Sequence, residues 1–496
     1  MYIPPMESIA RFLRNNSMGE LEFFAQQIAQ WKDSPERRDQ LTGERYYHGD
    51  HDILRRARQV FDSGGRPNML RNLPNNKVVD NLYAQMVDQK SGYLLGRPFS
   101  VDGEDEAFKA ALNGVFDAGF RRMLRHVLED ALNGGIAWLF PYYGEDGRLR
   151  FRHFPAYEIL PFWADDEHER LDCAARLYEV ESWEGAERKV LEKVEIFKPD
   201  GIYRYRLEER GLAPDPDANE LHSPYITVRR AADGGTPTEE PYNWEKIPLV
   251  AFRYNKTESP LITRCKTLQD TINLMHSDFA NSMQKSILGS VLVLKGYGDE
   301  PLENLWPNIA SFNAIKVEDS PNGMGGGVDV LDVKFDAANF EVILKLLKRS
   351  MIENARGFDA KDDRVGGNPN QMNIQSMYSA IDLDASITGT EFKAAMKELL
   401  WFICAYFSSA GKGTFPPDGC EIIFNTDILV NESQVIEDCR KSLGLISRQT
   451  IVAQHPWVAD VAAEMERIEE EEWTPDNYCL AHGQALPGGA LNAEEQ

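Results

Sequence analysis

Cysteine is scarce and scattered. Cys173, Cys265, Cys404, Cys420, Cys439 and Cys479 are the six thiols in 496 residues, and none stands in CxxC or zinc-finger spacing. A disulfide framework and a thiolate metal cluster are therefore not indicated. Long apolar runs are missing as well. The most apolar stretch, Leu399 to Phe407, falls far short of the roughly 20 residues that span a bilayer. The opening MYIPPMESIARFLRNN has no charged n-region leading into an apolar h-region. No membrane partner and no signal peptide are expected, and the product reads as soluble and intracellular.

Basic tracts are also absent. The formal net charge is −25, from 54 Lys and Arg against 79 Asp and Glu. The strongest charge run is acidic, Glu469 to Glu472, and reads as a solvated helix end. A protein that grips nucleic acid neutralises phosphates with clustered Lys and Arg, so composition argues against a grip. No G-x-S-x-G elbow, HExxH, kinase signature or Walker motif occurs. The glycine-rich run Gly323 to Gly327 is followed by a strand and not by Lys-Ser/Thr and a helix, so it reads as a hairpin turn. The cluster His48-Gly49-Asp50-His51-Asp52 has residue types that suit a divalent cation. Neighbouring chain positions rarely converge on one ion, however, and a turn leading into a helix N-cap is the expected reading. No catalytic residue, metal site or cofactor is assigned.

What is present is enough apolar residue to fold, 42% hydrophobic and 10% aromatic, over a length that calls for two or more domains or layers. The first 45 residues have apolar positions near helical spacing (Ile9, Phe12, Leu13, Leu21, Phe24, Ile28). A helix is expected after Leu73-Pro74-Asn75-Asn76-Lys77 with Val78, Leu82, Met86 and Val87 on one face, and a second from Phe108 to Asn133. From Ile136 to Val250 short aliphatic and aromatic runs between turn signals predict a β-rich, antiparallel module. Helix returns from Ser259 to about Leu288, then strand-like Val291 to Leu294, a helix near Leu302 to Phe312, and strands at Ala314 to Val317 and Val328 to Val333. A helix from Ala337 to Phe358, a polar loop and the longest helical pattern, Ile374 to Phe407 with Gly389 as a candidate kink, come next. A strand at Glu421 to Phe424 and helices at Glu432 to Leu443 and Ser447 to Glu470 complete the pattern. The fold class is α+β, mainly helical.

Several segments, in order, resemble the portal proteins of long-tailed, siphovirus-type bacteriophages. They are Tyr47-His-Gly-Asp-His-Asp-Ile-Leu54, Leu73-Pro-Asn-Asn-Lys77, Val87-Asp-Gln-Lys-Ser-Gly-Tyr-Leu-Leu-Gly-Arg-Pro98, Leu292-Val-Leu-Lys-Gly-Tyr297, Gly326-Gly-Val-Asp-Val-Leu331 and Ile446-Ser-Arg-Gln-Thr450. Together they cover roughly residues 45 to 470. The resemblance implies a homo-oligomeric ring, dodecameric in virions, at one capsid vertex, with double-stranded DNA passing through it during packaging and ejection. It implies a wing at 1–258, a stem helix at 259–288, a clip at 289–335, a second stem helix at 336–358 and a tunnel loop at 359–373. A long helix and a return to the wing follow at 374–425, a crown at 426–472 and a disordered tail at 473–496. The implied partners are the terminase motor at the clip, the major capsid and scaffolding proteins, and a head-completion or adaptor protein. The implied location is the virion, and the host cytoplasm during assembly. The competing readings are a capsid or head–tail adaptor subunit and a metal-dependent DNA-processing enzyme built on His48, Asp50 and His51.

Residues 256 to 366 hold 13 Lys and Arg against 16 Asp and Glu, close to neutral within an acidic chain. A channel there would meet DNA with mixed charge and few firm contacts. The candidate DNA-facing residues are Lys345, Lys348, Arg349 and Arg356 on the second stem helix, where spacing puts Lys345 and Arg349 on one face. In the tunnel loop they are Lys361, Arg364, Val365, Gly366, Gly367, Asn368, Pro369 and Asn370, whose small residues suit a mobile element.

Overall fold

A computed structural model describes residues 19–57, 59–61, 67–69, 74–184, 187–230, 238–288, 291–295, 327–331, 337–359, 371–425, 432–455, 457–458 and 461–472. The chain divides into two compact units. The first comprises Met1–Phe358 and Ala380–Thr426, the second Asp359–Ser379 and Asp427–Gln496.

The first unit opens with α1 (Glu20–Lys32) and α2 (Pro35–Tyr47). The sequence pattern ran through this point, but Ser34 caps α2 by accepting from the Arg37 N–H at 3.1 Å, with Pro35 at the first helical position. That pairing starts a new helix. Strands β1 (Gln59–Phe61) and β2 (Pro67–Met69) form a hairpin. Next come α3 (Leu82–Leu95), β3 (Ser100–Gly103), α4 (Glu106–Val115) and α5 (Ala118–Gly134). Two expectations are corrected here. The helix after residue 77 begins only at Leu82, with Asn81 as its cap, so Val78 lies in an extended segment and not on a helix face. The single helix expected over 108–133 is two, because the Asp117 carboxylate accepts from the Phe120 N–H at 2.8 Å and caps a fresh start.

The β-rich module follows the sequence reading: β4 (Ile136–Tyr143), β5 (Leu149–Pro155), β6 (Ile159–Trp163), β7 (Leu171–Glu184), β8 (Glu187–Lys198), β9 (Gly201–Glu208), β10 (Gly211–Pro214), β11 (His222–Ser223), β12 (Ile226–Arg230), β13 (Thr238–Tyr242) and β14 (Val250–Arg253). Strands β6 to β10 make an antiparallel sheet in the order β10-β9-β8-β7-β6 with β11 on β9, and β14-β4-β5 make a second. Trp138, Phe154 and Phe197 are among the side chains buried between the two, while α1 packs Phe23, Phe24 and Ile28 with Phe162 and Val194 of the larger sheet.

The rest of the unit is α6 (Ile262–Leu288), β15 (Val291–Lys295) paired antiparallel with β16 (Gly327–Leu331), α7 (Ala337–Asn354), the 39-residue α8 (Gln371–Ser409) from Ala380 onward, and β17 (Cys420–Ile423), which pairs with β3. The expected helix near 302–312 and strand at 314–317 lie outside the described residues, as does the tail. The main core joins α3, α4, α5, β4, β14, α6 and α8 through residues such as Tyr83, Leu128, Phe252, Phe392 and Ile403. Two glycines set its spacing. A Cβ at Gly43 of α2 would stand 2.1 Å from the Asn133 carbonyl oxygen of α5, so only glycine allows that approach. Gly135 takes φ +81° at the end of α5, the left-handed stop that glycine adopts without strain.

The second unit contains α9 (Glu432–Lys441), α10 (Arg448–Gln454) and α11 (Val461–Glu472), with Cys439 and Val452 buried. The single helix expected over 447–470 is thus two, in keeping with Pro456, which has no N–H to continue α10. Among the described residues, no helix is long and apolar enough to cross a membrane.

Candidate functional site

The segment implied to line a channel is built on α6 and α7, which pack on each other through Phe279 and Phe340, stacked at 4.4 Å. Two polar joints hold this helix pair to the rest of the first unit.

The first joint is a ladder of neutral side chains along α6. Gln269, Asn273, Ser277 and Asn281 recur every four residues on one face and are essentially inaccessible. Opposite them runs the extended segment 74–81, in the reverse direction. The N–H of Asn76 donates to Asn281 Oδ1 at 2.7 Å and that of Val78 to Ser277 Oγ at 2.9 Å. The N–H of Asp80 donates to Asn273 Oδ1 and that of Tyr83 to Gln269 Oε1, both at 3.0 Å. Gln269 Nε2 returns a bond to the Asp80 carbonyl at 2.6 Å. The pairing works because two extended residues advance about 6.6 Å, close to the roughly 6 Å climbed by four helical residues. Backbone that lies in no sheet is satisfied this way, as burial requires.

The ladder also explains the His48–Asp52 cluster. His51 is buried and stacks on Tyr46 at 4.4 Å. Its Nδ1 accepts from Asn273 Nδ2 at 2.7 Å and its Nε2 donates to the Tyr46 carbonyl at 3.1 Å. This is a neutral imidazole, and burial pushes its pKa below the ordinary value. The other members turn to separate partners. His48 meets Glu44, Asp50 meets Arg55, and Asp52 takes Arg45 at 2.6 Å and Lys266 at 2.7 Å. Among the described residues, no group of three His, Cys, Asp or Glu is arranged to hold a metal ion. As expected, the cluster forms a turn, leading into a short 3₁₀ helix (Asp52–Arg55) with His51 at its N-cap position.

The second joint is ionic and centres on Asp384 of α8, whose side chain is 6% exposed. Its Oδ2 accepts from Lys90 Nζ at 2.6 Å and from the Tyr254 hydroxyl at 2.8 Å. Its Oδ1 faces Arg356 at 3.4 Å and Arg264 at 3.7 Å. Helices α3, α6 and α8, the end of β14 and the turn after α7 therefore meet on one carboxylate. Burial lowers the Lys90 pKa, while the Asp384 charge acts in the opposite sense. Lys90 also donates to the Arg356 carbonyl at 3.2 Å.

With this geometry in place, comparison with known proteins is decisive. The family model "Phage portal protein, SPP1 Gp6-like" matches residues 31–475. The chain belongs to this portal protein family. Its relatives include the portal protein of Bacillus phage SPP1, 25% identical over 92% of this chain and 88% of the relative. The portal protein of a Clostridium phage, phiCD119, is 23% identical over 89% and 94%. The solved neck of a native GTA particle, computed with C12 symmetry, covers 84% of this chain and 92% of that one at 11% identity. Its TM-score of 0.41 is too low to carry an argument. The function follows the family: a structural, non-enzymatic head protein at a capsid vertex that furnishes the passage for DNA.

Within this portal subunit the four candidate cations on the second helix do not act alike. Lys345 and Arg349 are exposed and pair along their own helix with Glu341 at 2.7 Å and Glu353 at 2.9 Å. Lys348 turns instead to Asp80 at 2.7 Å, at the foot of the ladder. Arg356 is corrected: it lies beyond the end of α7 with φ +52°, so helical spacing does not place it near the others. Lys361, Arg364, Val365, Gly366, Gly367, Asn368, Pro369 and Asn370 lie outside the described residues. Sequence reasoning missed both joints. The four-residue spacing of Gln269, Asn273, Ser277 and Asn281 was a visible signal for the ladder, whereas the Asp384 partners are too dispersed to be read.

Proposed function

We propose that the chain assembles as a closed ring, dodecameric in the virion, with α6 and α7 as its stem. In this reading residues 289–335 are the clip, on which the terminase docks, and 359–373 the tunnel loop. Residues 1–258 are the wing, which meets the major capsid and scaffolding proteins, and 426–472 the crown. An adaptor protein follows below, and assembly takes place in the host cytoplasm. The observation that carries the ring is on α7: Val342, Ile343 and Leu346 are 57%, 48% and 59% exposed, although the same helix is packed on α6. Helices in a ring need a second apolar face for the neighbour, because the interface joins two different surfaces around an axis. Leu383 and Ile387 of α8 add exposed apolar surface in the same unit. Replacing Val342 and Leu346 with Glu is expected to leave folded monomers where the wild type shows rings by electron microscopy. Rings of unchanged abundance would reject α7 as an interface.

DNA should pass without being held, since the region 256–366, with 13 Lys and Arg against 16 Asp and Glu, is close to neutral and gives phosphate little net attraction. Shortening Gly366 to Asn370 is expected to leave rings intact and block packaging. Normal packaging by that variant would remove the tunnel-loop assignment.

A further inference from the structure

The first unit contains a groove of about 1100 Å³ between the α4–α5 corner and the β4–β5 hairpin, lined also by Tyr406 and Lys412 around the C-terminus of α8. Its floor is apolar and aromatic, made by the buried Phe120 and the half-buried Met123, Tyr142 and Phe151. Its rim carries four cations, Arg122, Arg148, Arg150 and Lys412, all exposed. Two carboxylates also line it, and both are engaged. Asp117 caps α5, and Asp146 takes Arg150 at 3.1 Å with Arg148 at 3.9 Å. A net cationic rim stands out on a chain of formal charge −25. Neither joint described above uses it, and its residues lie on different elements from the proposed stem.

We propose that this groove receives an acidic amphipathic helix from a partner protein, with aliphatic side chains on the aromatic floor and carboxylates on the rim arginines. A concave apolar floor bordered by charge is the arrangement that takes a helix by its apolar face, and complementary rim charge sets the sign of the partner. Nucleic acid fits less well, because a floor made largely of Phe120, Met123 and Phe151 suits aliphatic side chains better than a sugar–phosphate backbone. A second copy of the chain is a different occupant, and its assembly state reports on it.

The test uses the full-length protein and a fluorescein-labelled 18-residue synthetic peptide with Leu at i, i+4, i+7 and i+11 and Glu on the opposite face. Its counterpart has Lys in place of every Glu. The Glu peptide is expected to raise the anisotropy saturably and the Lys peptide not to. Arg122→Glu with Arg148→Glu is expected to weaken the Glu peptide at least tenfold. Independently, Gly114→Phe should fill the groove, since a Cβ there meets open space, and should abolish binding with no change in the thermal midpoint. Equal binding of both peptides, or indifference to Gly114→Phe, would overturn the proposal. So would preferential binding of a DNA duplex that Gly114→Phe blocks, or loss of rings in the charge-reversed variant. None of these peptide readouts depends on α7 being an interface, so failure here and failure of the ring reading are separable.

Discussion

Asp384 and Glu398 lie on the same helix, fourteen residues apart, and both carboxylates are taken largely out of water, yet their surroundings differ. Asp384 is met by a lysine, a tyrosine and two arginines drawn from four other parts of the chain. Burial pushes Glu398 up to about 7, with Lys246 and Arg253 pulling only weakly the other way. Burial alone raises a carboxyl pKa; donors aimed at the charged form offset that rise. On one long helix, then, neighbouring cations rivet one carboxylate into the fold, while burial with few donors raises the pKa of the other.

The largest effect is expected from breaking the rivet. Lys90→Met leaves Asp384 buried without its closest cation and should cost about 3–5 kcal/mol, read as a lower midpoint in urea. A loss under ~1 kcal/mol would mean that the two arginines suffice and the contrast with Glu398 is weaker than drawn. Next comes the neutral ladder. Asn273→Ala strands the Asp80 N–H and His51 Nδ1 and should cost about 2 kcal/mol, with little dependence on salt. Similar salt sensitivity in the two variants would undo the distinction between ionic and neutral joints.

Glu398 supplies the test in the other direction. Its folded-state pKa is above the ordinary 4.5, so its contribution is intact below about pH 4.5 and is lost as pH rises toward 7. Glu398→Gln should therefore be close to neutral at pH 4.5 and more stable than wild type by about 3 kcal/mol at pH 8, measured by urea titration at both values. His51 runs the opposite way. Its lowered pKa means that stability falls as pH drops below the ordinary histidine value of 6.5, and a His51→Gln chain should lose that acid-side slope. The smallest effect belongs to the exposed pairs: Lys345→Ala and Arg349→Ala should leave the unfolding midpoint unchanged, because screened pairs along one helix add little.

Much of the architecture was legible because periodicity and punctuation report local physics. The β-rich stretch after Ile136 and the succession of helix, strands, helix and long helix follow from alternation, from four-residue apolar spacing and from turn signals. The errors fall where one side chain overrides a continuous pattern. Asp117 restarts a helix that the apolar positions ran through, and Arg356 was assigned by spacing to a helix that ends two residues earlier. The joints were harder. Asn273 and Ser277 look like helix surface until the segment opposite them is known. Lys90, Tyr254, Arg264, Arg356 and Asp384 span 294 positions between the first and last, and no window along the chain contains them. Nor does a charge count show that Lys348 is committed to Asp80 while Lys345 faces solvent.

The amide ladder has a consequence for motion. Its rungs from Asn76, Val78 and Asp80 repeat, two strap residues to four helical ones, so the segment 74–81 and α6 mesh like a rack and pinion. A slip of a fraction of a turn would strand every rung at once. A slip of one four-residue step, about 6 Å, would re-form all but the terminal one. If the subunit changes shape while DNA moves through the ring, this contact allows travel in whole teeth and resists anything between.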